Sequence, residues 1–175
     1  MASLRTLALF LVLLLSCART SGATPPAEGL FAVTAETRCP VCGMLVARYP
    51  TWLAQVGMSD GSMLAFDGVK DMAAYVLQPQ SFGAAPEATA TDIRVKDYYS
   101  QRSIDGKKAW YVIGSDVLGP MGHELIPFAE RSQAEIFLDD HRGKRILGFG
   151  DIDQRLVDEL RRGHKMKHRG GMAKP

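Results

Sequence analysis

The sequence has little of what several common functions require. It contains three cysteines and four histidines in 175 residues, and no second Cys-x-x-Cys pair accompanies the one that begins at Cys39. A closed zinc site built from two such pairs is therefore excluded. Gly43 rather than histidine follows Cys42, which excludes a c-type haem attachment motif. We find no phosphate-binding loop, Ser-His-Asp arrangement or paired carboxylates that would indicate hydrolysis.

A large excess of charge of one sign is also absent. The chain carries 21 basic and 19 acidic residues, for a formal net charge of +2, which argues against a dedicated nucleic-acid-binding protein. Hydrophobic residues make up 46% of the chain, which is enough to offset the entropy of ordering a globular fold. The length allows one domain, or two very small ones.

The longest apolar run lies near the N-terminus. It spans residues 7–15 and is too short to cross a bilayer, which takes roughly 20 apolar residues. A charged start, a short apolar run and small residues after it are typical of a secretory signal peptide. The segment Leu14-Leu15-Ser16-Cys17 resembles a bacterial lipobox, which implies removal of residues 1–16 and a lipid on Cys17, with ordinary cleavage nearby as the alternative. Residues 17–37 are predicted to form a flexible tether.

Apolar periodicity predicts the same order of elements twice. Strand-like segments with period two and helical segments with three- and four-residue spacing occur in the order strand, strand, helix, strand. We therefore predict an α+β fold in which two ββαβ repeats, at about 38–98 and 99–150, pack as one domain with a mostly antiparallel sheet. The predicted strands are 51–56, 62–66, 92–98, 109–113, 123–128 and 144–149, and helices are predicted from 69, from 132 and, as a last amphipathic helix, after 151.

Two side-chain types refine this prediction. Asp67 and Asp151 each precede a predicted helix and are expected to cap it. Met63 and Met72 fit the apolar pattern and are assigned to the core, where methionine is common.

The end of the chain differs from its body in charge. Its last 21 residues carry seven lysines and arginines against two acidic residues. We divide the chain into a domain at 38–162 and a basic tail at 163–175, in which His164, Met166 and His168 alternate. Such a segment is typical of a solvent-exposed chain end. It is also compatible with contact with an anionic membrane surface or with weak binding of a metal ion.

Cys39-Pro-Val-Cys42-Gly-Met44 is the sharpest chemical feature, and three of its four interpretations have weaknesses. A structural disulfide fits an exported chain, but a bridge across two residues restrains the unfolded state little. A redox motif lowers a thiol pKa best at a helix N-terminus, whereas Gly43 and a strand follow here. A structural zinc site lacks enough ligands at a fixed spacing.

The fourth interpretation is a Cu(I) site, because Cu(I) prefers thiolate and thioether donors and tolerates imidazole. Cys42 and Met44 are two residues apart, so in an extended chain they point to the same side. Met121 and His123 also flank a glycine. If the two repeats bring these pairs together, they supply one thiolate, two thioethers and one imidazole. We predict these four as ligands, with Cys39 as an additional thiol.

Several separated motifs in a fixed order resemble the NosL family of nitrous oxide reductase accessory proteins. NosL proteins are lipoprotein copper chaperones with two ββαβ units, similar to the treble-clef part of organomercurial lyase. The resemblance implies Cys42, Met44, Met121 and, as a further candidate, His123 as copper ligands. It covers about residues 38–149 and is carried by Cys39–Met44, Tyr49–Pro50, Asp67–Asp71, Asp97–Tyr99, Ile104–Gly106, Tyr111–Asp116 and Gly119–Leu125.

The resemblance also implies a function and a location. We expect a Cu(I) chaperone rather than an enzyme, held by its lipid on the periplasmic side of a bacterial membrane. Its expected client is the copper-sulfur cluster of nitrous oxide reductase. A NosL-like carrier for another copper enzyme, a periplasmic thiol-disulfide oxidoreductase using Cys39 and Cys42, and a purely structural lipoprotein are the alternatives.

Overall fold

The structure is a computed structural model that describes the backbone of residues 29–169. The predicted signal peptide 1–16 and the predicted lipidation site Cys17 lie outside the described residues. The side chains of His164, Met166 and His168 also lie outside the described part of the chain. The elements below therefore belong to residues 29–169.

The described residues form seven strands and three α-helices, joined by short 3₁₀ turns. The strands are β1 (Ala54–Met58), β2 (Met63–Phe66), β3 (Ala90–Lys96), β4 (Ser103–Asp105), β5 (Trp110–Ile113), β6 (Ile126–Phe128) and β7 (Arg145–Gly148). The helices are α1 (Val69–Leu77), α2 (Arg131–Asp140) and α3 (Gln154–Arg169).

The strands form two antiparallel sheets, one with the order β2-β1-β3-β4 and one with the order β6-β5-β7. The two sheets share one arrangement. β1 lies between β2 and β3, the strand that follows α1, and β5 lies between β6 and β7, the strand that follows α2. The register places Val56 opposite Leu64 on one side and Ile93 on the other. The predicted α+β class with mostly antiparallel pairing is confirmed.

Two strand predictions differ from the structure. Strand β4 was not predicted, because three residues between turns carry too little periodicity to be recognised. The segment 123–128 was predicted as one strand, but pairing begins only at Ile126. The residues before Ile126 form a loop instead, because the buried Glu124 side chain accepts the backbone N–H of Leu125.

Both predicted helix caps are wrong. Gly68 occupies the N-cap of α1, and Asp67 instead accepts a hydrogen bond from Cys42. Asp151 closes the preceding 3₁₀ turn by accepting the backbone N–H of Gly148 at 2.8 Å. The side chain of Asp153 takes the capping role for α3, because it accepts the N–H of Leu156 at 2.8 Å.

The core assignment of the methionines is half right. Met72 on α1 is completely buried, as predicted. Met63 is 50% exposed, so its assignment to the core is wrong. It opens the edge strand β2 opposite Gly57, which has no side chain to cover it.

Two sets of hydrogen bonds join segments that are far apart in the chain. The carboxylate of buried Asp97, just after β3, accepts the N–H of Ala129 at 2.9 Å and thereby ties the first sheet to the end of β6. Gln55 on β1 bonds to the backbone of Leu30 and Phe31, so this part of the segment predicted as a tether contacts the domain.

Candidate metal centre

The Cys-x-x-Cys segment folds into a tight loop that closes on itself. Cys39 donates its backbone N–H to the carbonyl of Met44 at 2.9 Å, and Gly43 donates to the carbonyl of Cys39 at 2.9 Å. Arg38 and Leu45 pair as an isolated antiparallel bridge below the loop. Gly43 has a φ of +78°, a left-handed conformation that a residue with a side chain adopts only with strain. The local sequence thus dictates a loop that gathers the two cysteines.

This loop brings the two cysteines to two aspartates of a distant segment. One sulfur or carboxylate oxygen from each of Cys39, Cys42, Asp67 and Asp71 lies within 4.8 Å of the others. The thiol of Cys42 donates to Oδ1 of Asp67 at 3.1 Å, and the thiol of Cys39 contacts Oδ2 of Asp71 at 3.7 Å. We call these four residues the Cys/Asp cluster. Cys42 is half-buried and the other three are buried, so the cluster meets solvent through Cys42.

The N-terminus of α1 positions both carboxylates. Asp67 immediately precedes the N-cap Gly68, and Asp71 lies in the first turn. The positive end of the helix dipole favours negative charge at these places. Asp67 is only 1% exposed, and its Oδ2 has no hydrogen-bond partner within the described residues. A buried polar atom without a partner costs about 1–3 kcal/mol, so this unpaired oxygen destabilises the fold unless a further group binds it.

Both thiols of the Cys/Asp cluster are free, with no disulfide in the described part of the chain. The hydrogen bond with Cys39, burial and the hydrogen bond to Asp67 together raise the pKa of the Cys42 thiol far above its usual range. The backbone N–H of Met44 acts in the opposite direction and lowers the pKa of Cys42. Cys42 is therefore a thiol rather than a thiolate, and a metal ion must displace its proton in order to bind the sulfur.

The second predicted ligand pair lies on a turn held against the same helix. Gly119 and Gly122 exchange backbone hydrogen bonds of 2.8 and 3.1 Å around the turn. Lys70, in the first turn of α1 and only 1% exposed, donates from Nζ to the carbonyls of Met121 and His123, both at 2.7 Å. The chain thus anchors Met121 and His123 to the helix turn that also carries Asp71.

The predicted copper ligands differ in whether they belong to the Cys/Asp cluster. Cys39 and Cys42 converge in the Cys/Asp cluster. Met44 and Met121 are half-buried at the two loops that border the first turn of α1. Among the described residues, the cluster does not include His123, whose ring lies against Gly163 of α3.

Glu124 is a second buried carboxyl beside this helix turn. It accepts the backbone N–H groups of Lys70 and of Leu125, the latter at 2.9 Å. A side chain on Gly68 would collide with it, so glycine permits the close approach of loop and helix. Burial raises the pKa of Glu124 to about 7. The nearby charge of Lys70 and the two backbone N–H donors have the opposite effect and lower this pKa, but burial outweighs them.

This raised pKa makes the stability of the fold depend on pH. Between its ordinary pKa of 4.5 and about 7, Glu124 ionises in the unfolded chain but stays protonated in the folded one. Glu124 therefore stabilises the fold below about pH 4.5, and this contribution is lost as the pH rises to 7. We expect the free energy of unfolding to fall by roughly 3 kcal/mol over this range, relative to a Glu124→Gln variant.

Urea denaturation at a series of pH values measures this difference. Glu87→Gln is the matched control, because Glu87 is exposed, and its curve should follow that of the unmodified chain. Parallel curves for Glu124→Gln and the unmodified chain would contradict the assignment.

Sequence reasoning missed three of the residues that shape this region. Asp67 was assigned to helix capping, and Asp71 and Lys70 were given no role. The available signal was the presence of two aspartates, at 67 and 71, around a predicted helix start. What the sequence does not contain is the approach of the Cys39–Cys42 loop to that helix end.

The fold and the Cys/Asp cluster define an α+β protein with a group of residues able to hold a metal ion. The family model described as NosL matches residues 30–157, and the chain belongs to the NosL family. The described helices include none that is both long and apolar enough to cross a membrane.

Two similar proteins place the chain within this family. It is 31% identical over 137 residues to the "Copper-binding lipoprotein NosL" of Stutzerimonas stutzeri, covering 77% of this chain and 69% of that protein. Its fold is similar to the crystal structure of the copper chaperone NosL from Shewanella denitrificans, with a TM-score of 0.63 and 23% identity. That match covers 75% of this chain and 99% of the other.

Proposed function

We propose that this protein is a Cu(I) carrier that delivers copper to a copper enzyme and catalyses no reaction itself. The observation that carries the proposal is the pair of free thiols at a partly exposed cluster in a chain of the NosL family. Thiolate sulfur is the donor that Cu(I) prefers. The copper-binding relative and the copper chaperone of similar fold support the same cargo.

We assign the copper to sulfur ligands from both loops. Cys42 is the central ligand, because it is the half-exposed thiol of the Cys/Asp cluster. Met44 is next along the same loop, and Met121 lies on the turn that Lys70 holds against α1. Cys39 and His123 are further donors in this assignment, Cys39 from inside the cluster and His123 from the side of α3.

The arrangement suits transfer by ligand exchange. A client's cysteine, methionine or histidine can approach from the side on which Cys42 meets solvent, while the buried members of the cluster stay in place. The carboxylate of Asp67 lies 3.1 Å from the Cys42 sulfur and is placed to accept the proton that copper displaces. When copper leaves, the same carboxylate can return the proton. A closed cage of four ligands would release the ion more slowly.

We infer the location and client from the family and the N-terminal sequence. The chain would be anchored by a lipid on Cys17 at the periplasmic side of a bacterial membrane, and it would supply the copper-sulfur cluster of nitrous oxide reductase. The lipoprotein among its relatives supports the anchor. A different copper enzyme as client would leave the copper chemistry of this proposal unchanged.

The alternative of a thiol-disulfide oxidoreductase is not favoured by the geometry. Such enzymes lower the pKa of their attacking thiol, usually at a helix N-terminus. Here the pKa of Cys42 is raised, and the residues that follow form a tight loop and then a 3₁₀ turn at Val46–Arg48. We expect no turnover of disulfide substrates without added metal.

Methionine variants test whether both loops bind the ion. In the reduced full-length chain, with Cys17→Ser as a common background, Met44→Leu and Met121→Leu should each lower Cu(I) affinity by roughly 10-fold or more. The affinity is measured by competition with a chromophoric Cu(I) chelator. Met63→Leu is the matched control, because Met63 is exposed on β2, and it should bind as the unmodified chain. Equal affinity in all three variants would refute ligation by Met44 and Met121.

A further inference from the structure

We propose that a groove on one face of the first sheet binds an amphipathic carboxylate, of the chemical class of a medium-chain fatty acid. The groove lies between residues 29–33 and the strands β1, β3 and β4. It shares no lining residue with the Cys/Asp cluster. The proposal therefore does not require that the chain binds copper.

The register of the first sheet defines the face on which the groove lies. Val56 and Ile93 are register partners, and both are buried on one face of the sheet. Because side chains alternate along a strand, Gln55 and its partner Arg94 lie on the other face. Lys96 comes two residues after Arg94 and shares this second face. The groove therefore lies on the side of the sheet opposite to Val56 and Ile93.

One wall of the groove is a segment that a buried amide holds in place. The side chain of Gln55 is only 1% exposed; it accepts the N–H of Leu30 at 2.9 Å and donates to the carbonyl of Phe31 at 2.8 Å. A side chain on Gly29 would collide with the same amide, so glycine permits this close approach. Both polar ends of the amide are bonded to the segment, which fixes the distance between this wall and the sheet.

The groove combines an apolar lining with positive charge. Its volume is about 520 Å³, which is within the range of roughly 300–1,000 Å³ that small-molecule sites occupy. None of the described residues that line it is acidic. The lining includes four large apolar and two cationic side chains: Leu30, Phe31, Val33, Leu53, Arg94 and Lys96. This combination fits a ligand that has one anionic group and an apolar body.

Both cations have donors left for an anion. Nζ of Lys96 donates to the carbonyl of Gln101 at 3.1 Å, and an ammonium group has three donors. Arg94 contacts Asp92 through Nε at 3.3 Å, and a guanidinium has five N–H donors. Residues two apart on a strand have Cα atoms roughly 6.5–7 Å apart, so both long side chains can reach one carboxylate. That carboxylate would accept charge-assisted hydrogen bonds from Arg94 and Lys96 together.

The size and charge of the groove select this ligand over other occupants. A methylene group takes up about the space of a water molecule, roughly 30 Å³, so the groove holds one chain of medium length and not the two chains of a phospholipid. A ligand without charge would cover Arg94 and Lys96 and leave them without an anionic partner. A small anion such as phosphate would leave the apolar lining exposed to water. An amphipathic monocarboxylate satisfies both parts of the groove.

A chain-length series tests the apolar part of the site. The full-length chain, in the Cys17→Ser background, is titrated in a calorimeter with hexanoate, octanoate and decanoate. We expect the affinity to rise roughly fourfold for each added CH₂ group that the groove buries. Octanol, which has the same chain without the charge, should bind roughly 10-fold or more weakly than octanoate. Equal affinity for the three carboxylates, or for octanoate and octanol, would overturn the proposal.

Charge-removing variants test the polar part of the site. Lys96→Met and Arg94→Met should each lower the affinity for decanoate by roughly 10-fold, because methionine keeps an apolar stem but donates no hydrogen bond. Lys144→Met is the matched control, because Lys144 is exposed and lies outside the groove, and it should bind decanoate as the unmodified chain. Thermal unfolding identifies any variant that fails to fold, and the chain-length series then decides. Unchanged affinity in folded Lys96→Met would overturn the proposal.

The chain's own residues before Gly29 are the competing occupant, since Gly29 itself lines the groove. If they fill it, the unmodified chain should bind no decanoate, and replacement of residues 24–28 by glycine and serine should create the binding. Those two results together would overturn the proposal and assign the groove to the N-terminal segment. Failure of the copper proposal would appear only in the Cu(I) titrations.

Discussion

Replacement of Cys42 by serine is expected to lower Cu(I) affinity by roughly 100-fold or more, which corresponds to about 2.7 kcal/mol. A hydroxyl oxygen is a hard donor that the soft Cu(I) ion binds poorly. The substitution removes little else, because Cys42 is half-buried and a serine hydroxyl can still donate to Asp67. Competition with a chromophoric Cu(I) chelator in the Cys17→Ser background measures the change.

Cys39→Ser is the matched control for this experiment. It makes the same chemical change three residues earlier, at a buried sulfur in contact with Asp71. We expect a smaller effect on Cu(I) affinity there than at Cys42, because Cys39 is remote from the open side of the cluster. Unchanged affinity in Cys42→Ser, with a normal thermal unfolding curve, would remove Cys42 from the copper site.

Replacement of Lys70 by methionine is expected to lower the free energy of unfolding by about 3 kcal/mol. The ammonium group of Lys70 satisfies the carbonyls of Met121 and His123 and provides positive charge near buried Glu124. Methionine keeps the apolar stem but leaves both carbonyls without their charged donor. It also removes a charge that lowers the pKa of Glu124, so that pKa should rise further. Urea denaturation at pH 7 measures the loss of stability.

Lys108→Met is the control for Lys70→Met, because the Lys108 side chain is 85% exposed. We expect its effect to stay within about 0.5 kcal/mol. A double variant with Glu124→Gln should be more stable than the sum of the two single changes predicts, since the single Lys70 change leaves Glu124 without its cation. A loss below about 1 kcal/mol in Lys70→Met would show that the loop is held by other contacts.

The fold class follows from the sequence because its signals are local. Alternating apolar residues and turn residues such as Asp60-Gly61 predict β1, β2 and β3 of the first sheet, and three- and four-residue spacing predicts α1. The errors occur where a tertiary contact replaces a local preference. Asp67 accepts a hydrogen bond from Cys42 instead of capping α1. Residues 123–125 form a loop rather than a strand, and within it the Glu124 side chain accepts the backbone N–H of Leu125.

The methionines also show that apolar periodicity alone does not predict burial. Met72 and Met63 both match an apolar pattern, yet Met72 is buried and Met63 is 50% exposed. Periodicity gives the face on which a residue lies, but it does not give whether another layer covers that face. Met63 stands at a sheet edge opposite a glycine, a property of the strand order and register rather than of its neighbours in the chain.

The chemical groups available to this protein can be read from its residues: two closely spaced thiols, thioethers beside glycines, and an apolar periodicity that predicts an α+β domain. Which of these groups meet depends on the packing of the folded chain. It placed Cys39 and Cys42 against Asp67 and Asp71, and it used Lys70 to hold the Met121 loop on the same helix turn. Donor types are properties of single residues, whereas a coordination site requires positions far apart in the chain to lie within a few ångströms of one another, and that depends on packing.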